Sequence, residues 1–150
     1  MRVVIQRVSE ADVKIEGKIA GKIEKGLMVL VGIEERDGDA DIRWLTNKIV
    51  NLRIFDDKNG VMNLSVKDIG GNILLISQFT LQASTAKGHR PSYIKAAGHE
   101  TAVPLYEKFI SSLSEELGRK IETGRFGADM KVSLINDGPV TICIDSLNRE

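Results

Sequence analysis

Apolar and polar residues alternate through the first 23 positions: Val3 and Ile5, Val13 and Ile15, then Ile19 and Ile23, with charged residues between them. A period of two is the signature of half-buried strands. Gly17-Lys18 and Glu24-Lys25-Gly26 interrupt the run, so the pattern predicts two or three antiparallel strands. Gly26 to Ile33 (GLMVLVGI) is apolar on both faces, which predicts a central strand. The period then changes. Ile42, Leu45, Ile49 and Leu52 recur at helical spacing after an Asp37-Gly38-Asp39 cap, predicting a helix with one core-facing stripe. Ile54-Phe55 runs into the turn Asp56 to Gly60, and Met62 and Leu64 mark a short strand. A second helix is predicted near Glu100 to Leu117, with Leu105, Phe109, Ile110, Leu113 and Leu117 on its apolar side. Pro104 is tolerable only near the start of that helix, and Gly118 ends it. Lys120 to Thr123 and Met130 to Ile135 read as strands around a Gly124-Arg125-Phe126-Gly127 turn, and Val140 to Asp145 closes the chain.

The stretch Asn72 to Leu81 (NILLISQFTL) organises this pattern. Ile73 to Ile76, with Phe79 further on, fill both faces of an extended segment, as in a strand buried within a sheet. Its far end carries Ser77, Gln78 and Thr80. If the strand continues, Gln78 and Thr80 share one face while Ser77 and Phe79 share the other. Buried hydroxyls and amides without partners cost roughly 1–3 kcal/mol each. Three of them at the end of a central strand therefore form either a polar pocket on a rigid wall or local bonds to neighbouring backbone.

Composition narrows the class. A chain of 150 residues is expected to form one domain, spanning residues 1–150, and to bury roughly 68–70% of its unfolded surface. Lys plus Arg and Asp plus Glu both number 21, so zero net charge gives no general attraction to nucleic acid. A local basic site is still compatible with this. One stands in the polar loop between Leu81 and Tyr93, where Lys87, His89 and Arg90 flank Gly88. Those groups either contact phosphate or are ordinary solvated charges. The single Cys143 rules out an internal disulfide and fits a reducing compartment. No apolar run approaches 18 residues, and no leader pattern opens the chain, so a cytoplasmic protein without membrane contact is expected.

Familiar catalytic patterns are missing. There is no G-x-S-x-G elbow, no phosphate-binding G-x-x-x-x-G-K-[ST] loop and no dinucleotide fingerprint. The two histidines, His89 and His99, and the lone cysteine do not stand at metal-ligand spacing, so neither a zinc site nor another cofactor is expected. Ser77 or Thr80 as a nucleophile would need a positioned base, and only His89, on the polar loop, lies near in sequence. Cys143, in an alternating strand, reads as a small core or interface residue. Asn136-Asp137-Gly138-Pro139 looks like a hairpin turn, yet Pro139 removes a donor where the returning strand would begin. Base rates for X–Pro bonds favour a trans peptide there.

Ser77-Gln78-Phe79-Thr80-Leu81 and Asn136-Asp137-Gly138-Pro139-Val140-Thr141 together resemble the two signature motifs of the D-aminoacyl-tRNA deacylases. The opening Met1 to Val8, the loop Lys87 to Ser92 and the turn Gly124 to Met130 are similar to the corresponding family segments, in the same order. The resemblance implies an α+β fold, an antiparallel sheet or small barrel with two main helices, assembled as a homodimer. It implies a cis Gly138–Pro139 peptide that enters the partner subunit's site, with Arg7 helping to hold it across the interface. Ser77, Gln78, Phe79 and Thr80 are then the catalytic wall, with backbone N–H groups near Phe79 and Thr80 offered to the ester carbonyl. Gly138, Pro139, Arg7, Asn136 and Met130 are the expected substrate-binding residues, and Lys87, His89 and Arg90 the expected tRNA contacts. The implied reaction is hydrolysis of D-aminoacyl-tRNA, and of glycyl-tRNA, with chirality read by excluding an L side chain. The alternative from another class is a non-catalytic RNA-binding or interaction module using the Lys87 to Arg90 loop.

Overall fold

A computed structural model describes residues 1–149. The longest early strand, β1 (Arg2–Ile15), is the hub of a curled sheet. Along one edge it pairs antiparallel with β2 (Lys18–Ile23) and β3 (Gly26–Gly32), and along the other with β8 (Lys131–Asp145). The alternating opening is thus a hairpin, turned at Glu16 and Gly17, both with positive φ. On the far side of β3 lies β6 (Asn72–Ser77), and beyond it the two-residue β7 (Glu122–Thr123). Between β3 and β6 the chain adds a small hairpin of β4 (Phe55–Asp56) and β5 (Met62–Leu64).

The sheet is mixed, where the expectation was an antiparallel one. β3 pairs with β6 and β6 with β7 in parallel. Parallel neighbours need a long crossover connection, and each crossover here contains a helix. α1 (Asp39–Asn51) lies between β3 and β6, and α2 (His99–Leu117) between β6 and β7. The two helices pack on one another, with the Thr46 and Ser112 hydroxyls 2.9 Å apart. Ile42, Leu45 and Ile49 of α1 and Leu105, Phe109 and Leu113 of α2 enter one core with Val3, Ile5, Val29, Ile73 and Leu75 from the sheet. The stripes predicted from the 3.6-residue period are therefore the buried faces. Residues of opposite pleat, Val8, Val13, Met28, Leu74 and Ile76, fill a second, smaller core inside the curl of the sheet. β6 contributes to both, which is why its four apolar residues are at most 1% exposed.

Pro104 is the sixth residue of α2. Its missing N–H falls deeper in the helix than a first-turn proline would put it. Gly118 closes α2 at φ 77°, in the left-handed region expected of a C-terminal glycine.

Two sequence expectations change at β8. Asn136 to Pro139 is not a hairpin turn, because the chain does not reverse. Residues before and after it pair with the same strand in the same sense, Asn136 with Val8 and Thr141 with Gln6. The four residues between them form an excursion from a continuous strand. Cys143 is exposed and thus not a core residue.

Tyr106 of α2 is buried, and its hydroxyl donates to the Leu75 carbonyl of β6 at 3.0 Å. Burial pushes its phenol pKa far up, so it stays a protonated donor at any physiological pH. Tyr106→Phe is expected to cost about 1 kcal/mol, the net worth of one hydrogen bond. Urea unfolding should show this as a lower midpoint at unchanged slope.

Candidate active site

Strand β6 ends at Ser77, and the chain turns at once into a 3-10 turn, Phe79–Gln82. The alternation expected to run through Leu81 therefore stops four residues early, and Gln78 and Thr80 are brought together differently. The Gln78 side-chain amide donates to the Thr80 hydroxyl at 2.6 Å. Phe79 is 55% exposed, rather than buried as its place in an apolar run suggested.

Four contacts fix the turn. The Gln78 N–H donates to the Val31 carbonyl at 2.7 Å, and the Leu81 N–H to the Gln78 carbonyl at 3.2 Å. Fully buried Gln82 donates to the Gly32 carbonyl at 2.8 Å, and Arg2 donates to the Leu81 carbonyl at 3.2 Å. Because the first internal bond of the turn belongs to Leu81, the N–H groups of Phe79 and Thr80 precede it. Like the leading amides of any helix, they have no acceptor within the turn. Two adjacent donors and the positive end of a short dipole are thus held on a rigid base.

Ser77, Gln78 and Phe79 line one side of a cleft of about 310 Å³ and Phe126 to Met130 the other, whereas Thr80, expected in the same wall, lies outside its lining. Phe126 packs edge-on against His99, ring centres 5.0 Å apart, and is tilted against buried Tyr106. The loop is thereby braced on α2. Met130, expected in the site, does line the cleft. Phe126, Ala128 and Asp129 also line it and were read from sequence only as parts of a turn. Gln82 and Arg2, which anchor the turn, left no signal in the sequence pattern. Among the described residues, no histidine lines the cleft.

Gly138 and Pro139 are exposed and absent from the cleft of their own chain. Their peptide is cis. The excursion is held at its base from within the same chain. Asn136 donates to the carbonyls of Arg7 at 3.1 Å and Val140 at 3.0 Å. Arg7, only 8% exposed, donates to the Asp137 carbonyl at 3.0 Å and the Ile54 carbonyl at 2.6 Å. Its guanidinium also lies 3.5 Å from Asp56 and 3.6 Å from Asp137. Gly138 has φ 125°, and a Cβ there would lie 2.8 Å from an Arg7 nitrogen. The step is thus shaped for glycine twice over, by backbone conformation and by space.

Lys87, His89 and Arg90 are exposed on a loop whose stem is pinned by main-chain bonds between Ser84 and Ser92 at 2.8 and 2.9 Å. At its base the Tyr93 ring meets Phe79 edge-on, centres 5.1 Å apart. The loop thus rises from the rim of the cleft.

A cleft on a helix-backed mixed sheet in which, among the described residues, no lining hydroxyl is hydrogen-bonded to a basic side chain suits a class that stabilises charge more readily than it attacks. The family model for D-Tyr-tRNA(Tyr) deacylase matches residues 4–145, and the chain belongs to that family. It is 68% identical over the full length of both chains to a D-aminoacyl-tRNA deacylase of Flavobacterium psychrophilum. Among solved structures it is similar to the c-Myc DNA Unwinding Element Binding Protein, with 39% identity, a TM-score of 0.92 and 97% and 98% of the two chains covered. A chain described as a probable eukaryotic D-amino acid tRNA deacylase shares the fold at 17% identity, with a TM-score of 0.82 and 95% and 97% coverage.

Gly32 is where the turn presses closest on β3. A Cβ at Gly32 would fall 2.8 Å from Leu81 Cβ and 2.9 Å from the Gln78 carbonyl oxygen. Gly32→Ala is therefore expected to destabilise the protein by roughly 1–3 kcal/mol, as overpacking does. Thermal unfolding measures this, and an unchanged midpoint would show that the turn is not held as described.

Proposed function

We propose that this chain hydrolyses the ester joining a D-amino acid to the 3′ end of tRNA, at a site completed by a second copy. The observation that carries this reading is the cleft beside the 3-10 turn: the leading Phe79 and Thr80 N–H groups have no acceptor within the turn, and among the described residues no hydroxyl of the cleft lining is hydrogen-bonded to a basic side chain. An aminoacyl ester is already activated. What it needs is stabilisation of the carbonyl oxygen as charge develops, and each preorganised donor of this kind is worth about 2.7–4 kcal/mol. Water adds to the carbonyl carbon, the ester C–O bond breaks, and the ribose oxygen leaves with a proton. The neighbouring ribose hydroxyl orients the water and passes that proton on, so no side-chain base is required.

Gly138 and Pro139 of the second copy face the substrate α-carbon in this account. Their carbonyls accept from its ammonium group and fill the space of an L side chain. Arg7 and Asn136 hold the step from behind, within the copy that offers it. The exposed part of β8 around Ile135, beside the Gly138-Pro139 step, supplies a surface for homodimer formation. Lys87, His89 and Arg90 meet the tRNA backbone beyond the cleft, and Met130 closes the wall opposite Ser77. The reaction belongs in the cytoplasm, where tRNA is charged. A non-catalytic nucleic-acid-binding role is the second reading, favoured by the name of the 39% identical relative, a DNA Unwinding Element Binding Protein. Turnover of a D-aminoacyl-tRNA by the purified protein separates the two.

Thr80 is the tempting nucleophile, but its hydroxyl already accepts from Gln78. Thr80→Ala is expected to keep substantial hydrolysis, whereas replacing the ribose hydroxyl beside the ester with hydrogen should reduce it far more. A trapped acyl-enzyme on Thr80, or its complete loss of turnover in a folded variant, would contradict the substrate-assisted route.

Selectivity by exclusion makes a further forecast. Glycyl-, D-tyrosyl- and D-aspartyl-tRNA should all be cleaved, and L-tyrosyl-tRNA should survive. Recognition of the side chain itself would instead spread the D substrates by about 1–3 kcal/mol per methylene-sized difference. Comparison of the four hydrolysis rates decides between them.

A further inference from the structure

Beyond the 3-10 turn lies a second groove, of about 810 Å³, walled by Trp44 and Lys48 of α1, Leu81 of the turn, Arg2 of β1, the Ile142 to Asp145 end of β8 and Arg149 near the C-terminal end. The same short turn therefore walls both cavities, Phe79 lining one and Leu81 the other. The Trp44 ring carries two cations. The Arg149 guanidinium carbon lies 4.4 Å and the Lys48 ammonium 5.7 Å from its centre. Contacts of this kind are worth about 0.5–1 kcal/mol at exposed sites. Arg149 is further tied by its Nε donating to the Ser146 carbonyl at 3.0 Å. Arg2 pairs with Asp145 at 2.9 Å. Among the described residues, neither Lys48 nor Arg149 has a carboxylate within salt-bridge distance.

Two exposed cations gathered on one ring, with no carboxylate within salt-bridge distance among the described residues, favour an anionic occupant. We infer that this groove holds the phosphate backbone of the single-stranded nucleotides immediately upstream of the 3′-terminal nucleotide. The inference rests on the reading of the cleft as the site for that terminal nucleotide. With the ester at the Phe79 and Thr80 N–H groups, the strand passes over the turn, and its preceding phosphates arrive at Lys48 and Arg149. Positive grooves beside aromatic rings are a general solution for single strands. The contact is to backbone, so it does not depend on base sequence.

The test is binding of a labelled RNA hairpin ending in a four-nucleotide 3′ overhang, compared with the same hairpin blunt-ended, by wild type and by the double variant Lys48→Gln, Arg149→Gln. Neither residue belongs to the cleft. The variant should bind the overhang hairpin about tenfold or more weakly at 50 mM salt. Each single-strand phosphate contact contributes a salt slope of about −0.7. Loss of two contacts should therefore shrink the gap between the proteins by about sevenfold on going to 200 mM salt. Hydrolysis of an aminoacyl-adenosine, which lacks upstream phosphates, should be unchanged in the variant. Equal binding by both proteins, or equal weakening for the blunt hairpin, would overturn the proposal. So would a change of oligomeric state by light scattering, which would assign the groove to a second copy. Wild type that binds the overhang but cleaves no aminoacyl ester would defeat the catalytic reading and leave the groove standing.

Discussion

Strand order is the constraint on which the rest depends. Ser77 of β6 is level with Val31 of β3, Val3 of β1 and Ile144 of β8. Three strand spacings of about 4.8 Å therefore separate the polar end of β6 from the edge that carries Gly138 and Pro139. The excursion also lies several residues further along β8, so roughly 15–20 Å of sheet stands between the two motifs. Backbone hydrogen bonding on both sides of β1 and β3 makes that separation rigid. Within one chain the two motifs do not meet. Either they serve unrelated purposes, or a second copy brings them together, and the proposed chemistry takes the latter course.

Both motifs are built in the same manner, as short departures from strand geometry anchored by buried polar groups. At the end of β6 a 3-10 turn is clamped by Gln82, Arg2 and close contact with Gly32, which leaves two N–H groups unclaimed. On β8 the excursion is clamped by Asn136 and by an almost fully buried guanidinium from Arg7. Leaving a buried group of this kind unpaired costs more than the bond itself contributes, so each clamp resists loosening. The N–H groups of the turn and the carbonyls of the step are backbone groups. Their placement is a property of the fold, and that suits a site which stabilises charge and excludes shape without covalent attack.

Much of this was legible in the sequence because it rests on periodicity. The hairpin of β1 and β2, the two-sided strands β3 and β6, and the stripes of α1 and α2 all follow from which positions are apolar. The polar end of β6 was visible too, since Ser77 and Gln78 interrupt an otherwise apolar strand. What failed to show depends on contacts distant in the chain. Nothing in the pattern says that α1 and α2 serve as crossovers making two pairings parallel. The exposure of Phe79 was hidden because a 3-10 turn and a strand end can share the same residues. Asp137-Gly138 has the composition of a hairpin turn, and only pairing of both flanks with β1 shows it to be an excursion. Gln82 and Arg2 carry no local mark, being defined by carbonyls 50 and 79 residues away.

Subunit complementation bears most directly on the claim that one site needs two copies. Ser77→Tyr would fill the cleft and leave the Gly-Pro step intact, while Pro139→Glu would spoil the step and leave the cleft intact. Each variant alone should form dimers and show almost no hydrolysis of D-tyrosyl-tRNA. Co-expressed in equal amounts, they should pair at random in a two-fold dimer and restore one good site in every mixed pair, or about a quarter of wild-type activity. A mixture no more active than its components, or near-wild-type turnover by Pro139→Glu alone, would contradict the account.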